Sequence, residues 1–218
     1  LELEYPRFIH AQFMTHRVFS RSASSSRAIP IEKLIERVEN DPASPIRWGK
    51  NQRGMQADQD FSDADVPALK AMWVSAKNAA VSHASKLSSM GVHKQIVNRL
   101  LEPFAHINVV VTATEWENFF NLRRGDEAQP EIQELANVIW DARNASIPTY
   151  RSWYHLPYVS DEERERFTTE ECLAFSVARC ARVSYTNHGS NVIDHDKDKA
   201  LHDVLLRDGH MSPFEHQA

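Results

Sequence analysis

The sequence predicts an α+β fold: a mixed or antiparallel sheet flanked by helices, formed as a single domain over residues 1–218. Three observations point there. Two segments, LELEY and HINVVVTAT, have strand character, and several longer ones repeat apolar residues at helical spacing. A length of 218 residues with 42% hydrophobic side chains is enough to bury one core of ordinary size.

LELEY at 1–5 alternates apolar and charged residues, the period of a half-buried strand, and Pro6 ends it. Residues 7–17 continue as a helix that sets Phe8, Ala11, Gln12 and Thr15 along one face. SRSASSSRAIP at 20–30 holds five serines and two arginines and reads as a loop. IEKLIERVE at 31–39 is a short helix, and the prolines, glycines and asparagines of NDPASPIRWGKNQRG mark a long surface connection.

From Asp63, an N-cap residue type, the chain runs to Gly91 with Leu69, Met72, Trp73, Ala76, Ala80 and Leu87 at helical spacing. That stripe reads as core, and Gly91 suits the position just past a helix end. HINVVVTAT at 106–114 is β-branched and apolar, as a buried strand requires. EWENFFNLRR and EAQPEIQELANVIWDAR are helical, with Pro130 near a helix start. Residues 148–160 are rich in Pro, Tyr and Trp and read as irregular. CLAFSVARCARVSY at 172–185 is compatible with either strand or helix, because an apolar run with scattered arginines fits both periods. HDKDKALHDVLLRDGH is a helix ending at Gly209, followed by the turn-like MSPFEHQA.

Composition narrows the function classes. A net charge of −5 argues against binding a nucleic acid polymer or an anionic membrane through bulk electrostatics. The apolar stretches fall short of the roughly 20 residues that cross a bilayer. No signal-peptide pattern opens the sequence, since Glu2 and Glu4 interrupt the first apolar residues. Two cysteines, Cys172 and Cys180, build no disulfide framework and fit a reducing cytoplasm. With six glycines and neither G-x-G-x-x-G nor G-x-x-x-x-G-K-[ST], any nucleotide is held without a Rossmann or P-loop cradle.

Four groups of residues could carry chemistry. His16, Arg17, Arg21 and Arg27, with the serines at 20–26, supply hydrogen-bond donors in a segment poor in carboxylates, which suits a phosphate; a solvated polar loop has the same composition. Arg123 and Arg124 follow an apolar helix, with Asn118 and Asn121 close by. An arginine held there can stabilise negative charge developing on a bound ring, or simply pair with Asp126 or Glu127. The histidines and aspartates of 188–216 admit a metal reading of the HD phosphohydrolase type or a solvated helix face. Cys180, between Arg179 and Arg182, is a nucleophile or a buried inert thiol; its apolar flanks favour the second.

Three blocks together resemble the flavin-dependent thymidylate synthases. PRFIHAQFMTHRVFSRSASSSR at 6–27 is similar to the family's P-x-F…Q-x-x-R-H-R-x-x-S-x-N-E-x-S-x-R signature. The stretch 98–133 is similar to R-x-x-x-P…N-F-L-x-L-R…A-Q-x-E-I, and CARVSY with RDGHMSPFEH to A-R-V-S-Y…G-H-x-S-P-F-E-H. The family reads S-P-F-E-H first and runs from it into the H-R-x-x-S motif; here it comes last, so the resemblance implies a circularly permuted order, an order that a stretch cut from a longer or duplicated protein would also give.

The resemblance implies catalysis by Arg123, which would orient and activate a uracil ring. It implies nucleotide binding by Gln12, Arg17, Ser25, Arg27 and Arg99, and flavin contacts from His16, Ser20, Asn118, Ser184, His210, Ser212 and Glu215. It further implies FAD as cofactor, NADPH and methylenetetrahydrofolate as co-substrates, a dUMP-like nucleotide as substrate, and a homotetramer with shared active sites. No metal is expected. Thr15 stands where the family has the first arginine of R-H-R, and Ser22 and Ala23 replace its Asn-Glu pair. A non-methylating flavin or nucleotide binder is compatible with those departures.

Overall fold

The computed structural model describes residues 1–150, 154–183 and 193–217. At its centre lies a three-stranded antiparallel sheet in the order β1-β3-β2. Strand β1 (Glu2–Pro6) pairs with β3 (His106–Thr112) from Glu2 opposite Val110 to Pro6 opposite His106. The alternation of LELEY is realised: Leu3 and Tyr5 are buried, Glu2 and Glu4 exposed. Strand β3 is buried almost throughout because both of its faces are covered. Ile107, Val109 and Val111 pack into an aromatic core with Phe13, Phe19, Phe119 and Phe120, while Val110 on the opposite face meets Cys180 and Val183.

Residues 20–30 depart from the loop expectation. Ser20–Ala23 form strand β2 on the second edge of β3, from Ser20 opposite Thr112 to Ala23 opposite Val109. Serine and arginine have little intrinsic strand preference; an unpaired edge on a buried strand outweighs it. The chain then turns at 25–29 through bonds from Ala28 N to Ser25 O and Ile29 N to Ser26 O. Residues 7–17 are likewise broken up. A 3-10 turn (Arg7–Ile9) leads into α1 (His10–Phe13), and it is Ile9 and Phe13 that are buried, whereas Ala11 and Thr15 are exposed.

Helix α2 (Ile31–Asn40) packs Leu34 and Val38 against α3 (Val66–Ser89), α4 (Lys94–Val97) and the turn around Leu101 and Phe104. The buried stripe of α3 is rotated from the one expected: Val81 and Ala84 are buried and Trp73, Ala80 and Leu87 half-buried, but Met72 and Ala76 face outward. A helix with apolar residues on several sides does not declare its inner face by periodicity. Its end is as expected, with Gly91 at φ 81° and Val92 N donating to Leu87 O at 3.0 Å.

Helix α5 (Glu117–Arg123) and α6 (Pro130–Ala145, with Pro130 in its first turn) cover one face of the sheet. The ambiguous 172–185 stretch is helical over α8 (Thr169–Ala181), fixed at its start by a capping box between Thr168 and Glu171. Helices α7 (Asp161–Arg166), α8 and α9 (His195–Arg207) are tied by buried charges. Arg179 donates to Glu163 at 2.6 and 2.8 Å and to the fully buried Asp198 at 2.9 Å, and His195 joins Glu163 at 2.9 Å. These bonds offset the desolvation of the ions, and the Arg179 guanidinium holds the Glu163 carboxyl down at about 2.

After Gly209, at φ 71°, the segment Ser212–Glu215 forms a 3-10 turn against β2 and α8. His216 Nδ1 lies 3.0 Å from Thr112 Oγ1, while Leu1 N donates to Val111 O at 2.9 Å. The S-P-F-E-H segment and the start of β1 thus meet at one end of β3.

Candidate functional site

Phe119 and Phe120, locked in the aromatic core, fix α5 so that Arg123 emerges from its last turn beside the turn that follows α1. There, Arg123 Nε donates to His16 Nε2 at 2.9 Å and its NH2 group to Thr15 Oγ1 at 3.3 Å. The Thr15 hydroxyl in turn donates to Gln12 O at 2.7 Å. His16 is buried edge-on to Phe119 and stacked on Phe19. Burial first, then the guanidiniums of Arg123 and Arg21, push its imidazole down to about 4. It is therefore neutral and able to accept the Arg123 bond, which aims the guanidinium. Arg123 is thus bonded directly to His16 and, through Thr15, to the backbone carbonyl of Gln12.

A second group lies beyond the other end of β2. Asn98, fully buried, donates through Nδ2 to Ser26 O at 2.7 Å and Ile29 O at 3.0 Å, holding the turn that carries Ser25 and Arg27. Glu102 accepts from Ser26 Oγ at 2.6 Å and Arg99 NH1 at 2.9 Å, and pairs with Arg7 at 3.2 Å. Ser25, Arg27 and Arg99 are in this way gathered by the buried Asn98 and by Glu102. Arg17 is exposed and is bonded into neither group.

A third group flanks a pocket of about 400 Å³ lined by Ser22, Ala23, Ala181, Leu205 and the residues from Gly209 to Pro213. Ser22 and Ser212 hydroxyls are 3.5 Å apart, and His216 Nε2 lies 3.1 Å from Ser22 Oγ. Burial pushes His216 down to about 4. His210 and Glu215 are exposed beside this pocket; Asn118 is exposed on α5 and Ser20 begins β2. Ser184 lies outside the described residues.

The family model for thymidylate synthase complementing protein matches residues 1–149, which contain the first two groups in full. The chain belongs to this family, the flavin-dependent thymidylate synthases. A flavin-dependent thymidylate synthase of Pseudothermotoga lettingae is 50% identical over 42 residues, 19% of this chain and 18% of the length of that relative. The His210–Pro213 side of the pocket lies beyond the residues that the family model matches.

Against the flavin-dependent thymidylate synthase pattern, the departures have structural partners. Thr15 supplies a neutral acceptor to Arg123 where the family places a cation. The nearby Arg21 directs NH1 to Met14 O and His16 O at 2.8 and 2.9 Å, so it braces the turn that carries Thr15. Ser22 is engaged by His216. The histidines scatter: His195 faces Glu163, His202 faces Asp203, and among the described residues no three His, Cys, Asp or Glu side chains converge as a metal site. Burial pushes the Cys180 thiol up to about 12, which makes it inert. Sequence reasoning passed over Asn98, Glu102, Gln129 and Glu131. The last two stand in the A-Q-P-E-I block quoted for the resemblance, which was the available signal for them.

Proposed function

We propose that this protein methylates dUMP, or a related pyrimidine deoxynucleotide, to dTMP, with FAD as cofactor and with methylenetetrahydrofolate and NADPH as co-substrates. The observation that carries the reading is the neutral His16 holding Arg123 by a 2.9 Å bond in the segment that matches the family. A guanidinium fixed in this way stabilises negative charge that develops on a pyrimidine ring, without reorganising when the charge appears. Ser25, Arg27 and Arg99 take the phosphate through charge-assisted bonds, and Arg17 adds an exposed cation. Gln12 meets the nucleotide beside Arg123.

The pocket between β2 and the S-P-F-E-H turn fits part of a flavin. Its wall of small residues leaves room for a flat ring, and the Ser22 and Ser212 hydroxyls are suited to its polar edge. His16, Ser20, Asn118, Ser184, His210 and Glu215 are the further residues we assign to flavin binding. A bound flavin supplies hydride transfer, and the protein supplies binding and charge.

Residues 1–218 in this reading are one domain with a circularly permuted motif order. The meeting of the S-P-F-E-H segment and β1 at one end of β3 supports this. The placement of the Arg123 and Arg27 groups beyond opposite ends of β2, with Met72, Val74 and Met90 exposed on and beside α3, supports a homotetramer with active sites shared between subunits, and the two free cysteines suit the cytoplasmic setting we assign to it. Arg123→Ala should abolish nucleotide-dependent turnover and leave the yellow colour of bound flavin; full activity in that variant contradicts the reading. Thr15 in place of an arginine favours a second reading, a flavin and nucleotide binder without methyl transfer. That protein would show flavin absorbance and bind dUMP, yet form no dTMP.

A further inference from the structure

Behind Gln12 lies a chain of three hydrogen bonds that starts at a buried carboxylate. The backbone N–H of Ile46 donates to Glu131 Oε1 at 3.0 Å. Gln129 Nε2 donates to Glu131 Oε2 at 2.9 Å, and Gln12 Nε2 donates to Gln129 Oε1. Glu131 is only 6% exposed, and it opens α6 directly after the loop from Arg123.

The direction of this chain is dictated by chemistry. A backbone N–H can only donate and a carboxylate can only accept, so Gln129 must turn its NH2 group to Glu131. Its carbonyl oxygen is then left facing Gln12, which can answer only with its own NH2. The Gln12 amide oxygen is the end that remains. Among the described residues no donor is bonded to it, and Gln12 is half-exposed beside Arg123.

We infer that Glu131 is a positioning residue that sets the polarity of Gln12, so that Gln12 offers the nucleotide an acceptor and selects a ligand that carries a donor at that point. This rests on the proposed nucleotide reading of the site. The donors that a pyrimidine deoxynucleotide can offer there are the sugar 3′-hydroxyl and the ring N3–H; its phosphate and ring carbonyls only accept. Reversing the amide would set two acceptors against each other and leave a buried carboxylate without its partner.

Calorimetric titration of the full chain with dUMP, with 2′,3′-dideoxyuridine 5′-monophosphate and with N3-methyl-dUMP separates the two donors. The wild-type protein should bind dUMP on the order of tenfold more tightly than one of the two analogues, the loss expected for one hydrogen bond. In Glu131→Gln, whose amide oxygen must stay on the Ile46 N–H so that its NH2 faces Gln129, the chain of bonds is reversed and that preference should collapse to within about twofold. Gln12→Ala should erase it as well.

A purely packing role for Glu131 would weaken all three ligands equally and leave the preference intact, which overturns the inference. Retained preference in Gln12→Ala overturns it too. If Glu131→Gln does not fold, Gln129→Leu cuts the same chain at a half-exposed position and carries the same expectation. A wild-type protein that binds no dUMP brings down the nucleotide reading and this inference with it. One that binds dUMP without discriminating among the three brings down this inference alone.

Discussion

Acidification from pH 7.5 to 5.0 should destabilise the protein through His16 and His216, and the size follows from their surroundings. Both imidazoles are buried and sit at about 4 in the folded chain, against the ordinary value of 6.5. Between those two values the unfolded chain binds protons that the folded chain refuses, so stability falls as the pH drops. A single group with this shift contributes almost nothing at pH 7.5. At pH 5.0 it costs at most about 2 kcal/mol, less where water reaching the guanidinium side of His16 screens the repulsion.

The carboxylates do not confuse this window. Glu163, held at about 2 by Arg179, contributes stability above its ordinary value of 4.5 and loses it only on further acidification. The assay is urea unfolding at the two pH values, with the midpoints converted through a common slope. Wild type should lose up to about 4 kcal/mol for the two histidines together, and His16→Gln should lose up to about 2 kcal/mol less than wild type does. A variant that loses as much as wild type refutes the assignment of a refused proton to His16.

Further outcomes follow from other parts of the structure. Asn98→Ala removes both side-chain bonds from Asn98 to the 25–29 turn, so dUMP affinity measured by calorimetry should fall about tenfold and stability by about 2 kcal/mol. Unchanged affinity would separate Arg27 from the phosphate. Glu163→Gln leaves the buried Arg179 without its bidentate partner, and urea unfolding should register a loss of about 3 to 5 kcal/mol. Gly91→Ala meets open space but a φ of 81°, so its cost should be conformational alone, about 1 kcal/mol in the same assay.

The parts of the fold that were legible in the sequence were those set locally. LELEY alternates with the period of its strand, Pro130 and Gly91 stand where a helix start and a helix end demand them, and β3 declares itself by its run of β-branched residues. What stayed hidden depends on partners far along the chain. Ser20–Ala23 is a strand only because β3 offers an edge nearly 90 residues later, and α3 turns Met72 outward because α2 and the turn at Leu101 meet its other side. For the site, the resemblance singled out Gln12, His16 and Arg123, which the fold does join. Arg17 and Arg27 could not be ranked by composition, since an arginine outside both groups and one in a pinned turn look alike in a serine-rich segment. Glu131 and Asn98 were missed because a buried polar residue inside an apolar helix or turn carries no periodic mark.

The central claim is that this chain joins a flavin to a pyrimidine nucleotide held by Arg123. Its most direct test is the absorbance of the purified protein between roughly 350 and 500 nm, followed after anaerobic reduction and then addition of dUMP with methylenetetrahydrofolate. The flavin spectrum should bleach on reduction and return only when both substrates are present, with dTMP formed in step. A protein without flavin absorbance after loading with FAD, or one whose reduced flavin ignores both substrates, contradicts the claim.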